Sequence, residues 1–359
     1  MTTIGKSVGL IANPASGKDI RRLVAYGSVF DNYEKVNIVR RVFLGLEAAG
    51  VSEVLYMPDY FNIVGKALDD IKLTLTPRPL EMYIHGNQDD TTEAARLMDE
   101  AGVACIVTLG GDGTNRAVVK GTAAVPLMPI STGTNNVFPF MIEGTLAGMA
   151  AGVLASGTIP LEKITLPTNR LDVLLDGQFK DLALVDIAIY DDTFIGSRAI
   201  WEISKVREVF LSRVESATVG LSSLGGGLSC KQFDNQHGVH IHLAAHDTTS
   251  AITVRAPIAP GWVKPVQVSG FSLLKYGDEI LIGLIPSVLA LDGEREIEVN
   301  GKGKVSIRLS DQGPRVIDMN RALQAATQHN FFNSVTPNEM KESQCQLAQL
   351  GICLTPCLA

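Results

Sequence analysis

The sequence predicts an N-terminal α/β domain with a parallel sheet, followed by a C-terminal β-sandwich-like domain. Three observations carry this. Strand and helix signatures alternate through roughly the first 140 residues, the rhythm of parallel βαβ units. From about Glu162 to Glu298 the chain turns to short runs such as LDVLLD, LALVDIAIYD, VHIHLAA and AITVRAP, punctuated by Gly, Pro and Asp-Gly. The length, 359 residues, corresponds to about two domains at roughly 150 residues each.

The elements follow in order. Ser7 to Ala12 is an apolar run stopped by Asn13-Pro14, a strand and its turn. Residues 19–49 read as helix and end at Gly50. Glu53 to Met57 and Leu80 to Ile84 read as the second and third strands. Asp90-Thr91-Thr92-Glu93 resembles a capping box, with Ala94, Leu97, Met98 and Ala101 on one helical face. Val103 to Leu109 is a buried strand, Asn115 to Lys120 a helix, and Pro126 to Ile130 a further strand. A helix near 145–156 precedes the β-rich half, and one about Ser197 to Arg213 interrupts it. Ile317 to His329 reads as a closing helix. The expected organisation is 1–145 (α/β, nucleotide-binding), 146–300 (β-rich), 301–334 (strands and a helix returning to the first domain) and a 335–359 tail.

Composition excludes several classes. Lys plus Arg is 31 and Asp plus Glu is 38, a net charge of −7, which argues against a generally basic nucleic-acid binder. No apolar stretch reaches the ~18 residues of a membrane helix. The N-terminus lacks a signal-peptide layout. Five cysteines (Cys105, Cys230, Cys345, Cys353 and Cys357), an odd number, fit a reduced cytoplasmic chain. The last three are not at a zinc-ligand spacing, and no metal ligand is assigned.

Chemistry concentrates in three polar turns, each after a strand. In Gly110-Gly111-Asp112-Gly113-Thr114-Asn115 a buried strand runs through three glycines into a helix start. Backbone amides there approach a phosphate closely because no Cβ blocks them. An acidic Asp112 inside such a loop suits proton acceptance from a hydroxyl, or Mg²⁺ beside a phosphate. Asn13-Pro14-Ala15-Ser16-Gly17-Lys18 offers amides, a hydroxyl and an ammonium, although it is not a P-loop. Ser131-Thr132-Gly133-Thr134-Asn135-Asn136 offers hydroxyls and amides suited to ribose, adenine or phosphate oxygens. In an open parallel sheet such turns converge on one crevice.

With GGDGTNR at 110–116, NPASGK at 13–18, PISTGTNNVFP at 129–139 and LDGE at 291–294, the chain resembles the superfamily of NAD kinases, diacylglycerol kinases and sphingosine kinases. Within it, the chain resembles the AcoX-like branch of ATP-NAD kinases. The resemblance implies a nucleotide held between the two domains and Asp112 as general base at the phosphoryl-transfer site. Glu294 of the LDGE turn would assist it. ATP with Mg²⁺, or polyphosphate, would be the donor and NAD the acceptor. In NAD kinases a strand carries an Asn-Glu pair that reads the dinucleotide; here Val185 stands at the Asn position and Asp186 at the Glu position. The Gly220–Gly227 stretch lies where NAD kinases have a Gly/Ser/Thr loop.

The expected function is phosphorylation of the NAD 2′-hydroxyl to give NADP, in a cytoplasmic homo-oligomer with no membrane or nucleic-acid partner. The alternatives are a lipid or small-polyol kinase of the diacylglycerol kinase type, and a non-catalytic nucleotide sensor linked to acetoin metabolism. Two other features read more simply. His240 and His242 share one strand face and could ligate a metal, but a hydrogen-bonded face is the expectation. The mixed charges of 198–213 read as a solvated helix face.

Overall fold

The computed structural model describes residues 7–17, 26–27, 30–69, 71–133, 136–195, 203–228, 237–244 and 252–333. Strands β1 (Val8–Ala12), β2 (Glu53–Tyr56), β3 (Thr76–Pro79), β4 (Ile106–Gly110) and β5 (Leu127–Ser131) run parallel in the order β3-β2-β1-β4-β5. The short strands β6 (Thr165–Leu166) and, late in the chain, Val316–Ile317 extend the sheet beyond β5. Both central strands are buried on both faces, so β1 and β4 carry nearly continuous apolar runs.

Helices cover both faces. Asn32–Ala48, Gly144–Ser156 and Met319–Gln328 share one core with Leu10, Val107 and Ile130. Gln88–Glu100 and Asp112–Gly121 cover the opposite face through Met98, Val118 and Val119. The chain winds outward in one direction through β2 and β3 and in the other through β5. The order therefore reverses between β1 and β4, and the crevice outside the carboxyl ends of those strands is where such sheets hold ligands.

The second half contains β7 (Arg170–Leu175), β8 (Gln178–Ala183), β9 (Asp186–Tyr190), β10 (Val206–Leu211), β11 (Gly238–Leu243), β12 (Ile252–Ala259) and β13 (Trp262–Leu274). It continues with β14 (Glu279–Leu281), β15 (Ser287–Leu291), β16 (Glu294–Val299) and β17 (Val305–Ser310). Seven of these strands form one antiparallel sheet, β12-β13-β11-β10-β9-β15-β16, and four form another, β14-β17-β7-β8. The sheets face each other across Leu171, Val173, Ile307 and Leu309 on one side and Ile187, Ile189, Phe210 and Leu289 on the other. This is the predicted sandwich. Its junction with the first domain is apolar, since Leu182, Leu184 and Val185 pack with Val118, Val137 and Phe138.

Several local expectations are corrected. The third strand is Thr76–Pro79, not Leu80–Ile84. Thr76 and Leu80 donate their N–H groups to Ser52 and Tyr56, so the alternating Pro77 and Pro79 turn their missing donors towards the open edge. The helix expected from Asp90 starts at Gln88 with Asn87 as its cap; Asp90 instead accepts the His85 and Gly86 N–H groups. The Asp112–Gly121 helix begins three residues earlier than Asn115. The helix expected over Ser197 to Arg213 is, in its described part, a short turn at Ile203–Lys205 and strand β10. Its charges are paired to distant acids and bases rather than solvated along a helix: Lys205 and Arg207 meet Asp192 and Asp191, and Glu208 meets His240. Gly225, Gly226 and Gly227 sit against Leu211, Glu215 and Val254, where an added Cβ would collide, so they serve close packing. Lys18, Thr134, Asn135 and the 335–359 tail lie outside the described residues. Among the described residues, no helix is long and apolar enough to cross a membrane.

Candidate active site

Three turns meet at the carboxyl ends of β1, β4 and β5, and their side chains stitch them together. Asn13 donates from Nδ2 to Thr114 Oγ1 at 2.8 Å. Ser16 and Thr132 share a hydroxyl hydrogen bond of 2.9 Å. Thr132 N–H donates to Gly110 O, and Asn136 donates to Ser131 Oγ at 2.7 Å. A Cβ on Gly133 would collide with the Asn136 side chain, and one on Gly111 would lie 2.8 Å from its Oδ1. A Cβ on Gly110 would strike Thr114. Gly17 needs its glycine for another reason, a left-handed φ of +75°.

Lys35 underpins the first turn. It is fully buried on the Asn32–Ala48 helix and donates from Nζ to Asn13 O at 2.9 Å, Ser16 O at 2.8 Å and Asn32 Oδ1 at 3.2 Å. The sequence does not single it out, because a lysine in an amphipathic helix ordinarily faces water. Asn115 also supports the loop. It accepts from Thr108 Oγ1 and donates to Gly111 O, and is fully buried, so its amide is engaged within the chain.

Asp112 is the first residue of its helix and is buried. Val137 N–H donates to Oδ1 and Oδ2 at 3.0 and 3.1 Å, and Phe138 N–H donates to Oδ1 at 2.8 Å. Burial, with Asp292 adding like-charge repulsion, pushes its pKa from 3.8 up to about 7, against the pull of those amides and of Arg213. A carboxylate offers about two lone-pair sites per oxygen. Oδ1 is thus filled, and Oδ2 is the oxygen left to take a proton.

The second domain brings the LDGE turn to this point. Asp292 and Gly293 have φ of 51° and 80°, the geometry of a two-residue hairpin turn between β15 and β16. Asp292 is buried and accepts N–H bonds from Leu184, Val185 and Asp186 at 3.1, 2.8 and 3.3 Å. Burial raises its pKa too, offset in part by Arg116 and those amides. Glu294 lies over Gly113, with Oε1 3.5 Å from where a Cβ there would stand. Asp186 lies beside this turn, its carbonyl accepting the Asp292 N–H.

Arg116 links the halves. It is fully buried, its Nη2 is 2.9 Å from Glu296 Oε1, and Asp181 and Asp292 stand 3.9 Å from its Nη1 and Nε. Burial opposes its charge, but Asp292, Asp181, Glu296 and Glu294 outweigh that and hold it protonated. It stands inside the quoted GGDGTNR run, yet only its distant acidic partners reveal its role.

The donor set fits a hard cation carried on phosphates. Oδ1 of Asp112 and the Asp292 carboxylate accept backbone amides, and Glu294 is the carboxylate beside the glycine loop.

Comparison with known proteins places the chain among its relatives. The ATP-NAD kinase N-terminal domain matches residues 8–157, and the acetoin catabolism protein X C-terminal domain matches residues 169–312. Acetoin catabolism protein X of Cupriavidus necator is 37% identical over 343 residues, covering 92% of this chain and 95% of that protein. The chain belongs to the acetoin catabolism protein X family, and its first part carries an ATP-NAD kinase N-terminal domain. A crystal structure of a diacylglycerol kinase from Bacillus anthracis str. Sterne is 12% identical, covers 88% of this chain and 98% of its own, and superposes with a TM-score of 0.42. The kinase domain over the first half makes this family member a kinase-type phosphotransferase.

Proposed function

We propose that this acetoin catabolism protein X homologue transfers the terminal phosphoryl group of ATP, or of polyphosphate, to the 2′-hydroxyl of NAD. The observation that carries the reading is Asp112: a buried carboxyl at the meeting point of three polar turns, poised near pH 7. A general base works best with a pKa near the operating pH. In this reading the amides of the 13–17 and 110–114 turns bind the donor phosphates, and Ser16, Thr132 and Asn136 orient them. Oδ2 of Asp112 takes the acceptor proton, with Glu294 beside it. Mg²⁺, when bound at the Glu294 rim, would supply charge neutralisation on the phosphates. The remaining contribution is positioning.

One observation favours a second reading. Val185, at the position where NAD kinases carry asparagine, is buried in the core shared by the two domains and presents no polar group to a dinucleotide. A lipid or small polyol as acceptor fits that side chain, as does a nucleotide sensor without turnover.

Incubation of the full chain with NAD, Mg²⁺ and either ATP or polyphosphate, followed by mass spectrometry, tests the proposal. NADP is expected, with Asp112→Asn reducing its formation by roughly 10²–10⁴-fold. Absence of NADP with both donors overturns the NAD assignment. Release of ADP with diacylglycerol or a polyol selects the second reading, and tight nucleotide binding without turnover selects the sensor.

A further inference from the structure

The central sheet of the second domain carries a separate cluster of ligating side chains. Glu208 stands directly opposite His242 in the β10–β11 ladder, and His240 stands opposite Phe210. The period of two along a strand places all four on one face. Glu208 Oε2 is 2.7 Å from His240 Nε2 and 4.0 Å from His242 Nδ1. One ligand atom from each of the three residues lies within 4.8 Å of the others.

This arrangement is built rather than incidental. His240 is buried, and its ring stacks on Phe210 with centroids 4.0 Å apart and planes 10° from parallel, which fixes the direction of Nε2. Glu208 is held below the ordinary carboxylate range by the His240 hydrogen bond, against its own partial burial. On the far side of β11, Gly270 pairs with His242. A Cβ on Gly270 would meet nothing within 4 Å, so space is open beside the exposed histidine.

We infer that Glu208, His240 and His242 form a three-ligand site for a divalent transition metal of the zinc class. Two imidazoles and one carboxylate are ligands that such ions accept, with a fourth position left for water. Zinc–ligand bonds of about 2.0–2.1 Å in a tetrahedral site place donor atoms roughly 3.3 Å apart. The observed separations of 2.7 and 4.0 Å bracket that distance. Small movements in opposite directions bring the set to it. Metal binding needs the Nε2 lone pair of His240, so the hydrogen shared with Glu208 moves to Nδ1 or to solvent. The ion ties β10 to β11 at Glu208, four residues or roughly 13 Å along the chain from Ser212, which donates to the junction residues Val185 and Leu184. It is therefore distinct from the phosphate-binding turns.

The test uses the full chain stripped with chelator and titrated with Co²⁺ alone. The expected result is one Co²⁺ per chain with the visible absorption of a four-coordinate site, displaced by one equivalent of Zn²⁺. Zn²⁺ should also raise the thermal midpoint. His242→Ala, at an exposed position, and Glu208→Gln should each weaken Co²⁺ binding by about 100-fold or more, beyond the ~10–100-fold that loss of an outer-shell partner gives. Absence of a stoichiometric Co²⁺ spectrum in the parent chain overturns the site. So does Co²⁺ binding that is unchanged in both variants, since other histidines or cysteines would then be the ligands.

Discussion

Replacing Asp112 by asparagine should make the protein more stable relative to its parent as the pH rises. The carboxyl moves from 3.8 in an unstructured setting to about 7 in the fold. The folded chain therefore binds this proton more tightly than the unfolded one. The stability tied to the protonated group is fully present below pH 3.8 and is lost as the pH rises through about 7. At about 1.36 kcal/mol per pKa unit, the loss is roughly 1.7 kcal/mol by pH 5 and roughly 4 kcal/mol by pH 8. Asparagine does not titrate. Its exchanged hydrogen bonds with Val137 and Phe138 add an offset that is the same at both pH values. On going from pH 5 to pH 8 the variant should thus gain about 2.3 kcal/mol over the parent, as the difference between those two losses. Urea unfolding of both proteins at the two pH values, followed by circular dichroism, measures this directly. A difference that stays constant within about 0.5 kcal/mol would refute the raised pKa. Asp112 would then not be a base tuned to neutral pH.

Other consequences are open to simpler measurement. Phosphotransfer should rise with pH to a plateau above about 7, as Asp112 gives up its proton; a flat profile between pH 6 and 8 speaks against it as the base. Lys35→Met should lose about 3 kcal/mol in denaturant unfolding, because the carbonyls of Asn13 and Ser16 lose a charged donor. Its KM for the phosphate donor should increase. Gly17→Ala places a side chain at φ +75° with a Cβ 2.8 Å from Thr132 O, and should cost at least about 1–2 kcal/mol in the same assay. Arg116→Met should cost about 3–5 kcal/mol by leaving Asp292 and Glu296 without their cation. Lysine there should restore only part of it, since one ammonium cannot reproduce the planar fork.

The alternating strands and the glycine turns were legible because each is a local event. A strand followed by Asn-Pro or Gly-Gly-Asp-Gly announces its own end, and three such ends on one parallel sheet must converge. What was not legible depended on long-range partners. Val206-Arg207-Glu208-Val209-Phe210 carries charges that suit a helix surface. It is a strand because Asp191 and His240 meet those charges and sheet neighbours cover Val209 and Phe210. Thr76–Pro79 escapes a propensity reading because prolines are poor strand formers except at an edge. Arg116 and Lys35 look like surface residues in isolation. Their burial is set by carboxylates 65 to 180 positions away in one case and by a turn about 20 residues earlier in the other.

Net charge sharpens the picture of how the site works. In the proposed reading a chain of charge −7 has to receive an anionic donor where Asp112, Asp292 and Glu294 already gather. Repulsion is limited in three ways. Arg116 neutralises part of the acidic set from beneath, where phosphate does not reach it. Asp292 is turned inward and spends its oxygens on the Leu184–Asp186 amides. Asp112 is partly protonated near neutral pH. In the proposed reading an arriving phosphate would meet glycine amides first and would disfavour ionisation of Asp112 further by like charge. Mg²⁺ held beside Glu294 would supply the opposing positive charge, and Asp112 would then be the carboxylate that accepts a proton. Burial is the larger cause of the raised Asp112 pKa, and the Asp292 repulsion that adds to it couples the second domain to the base proposed in the first.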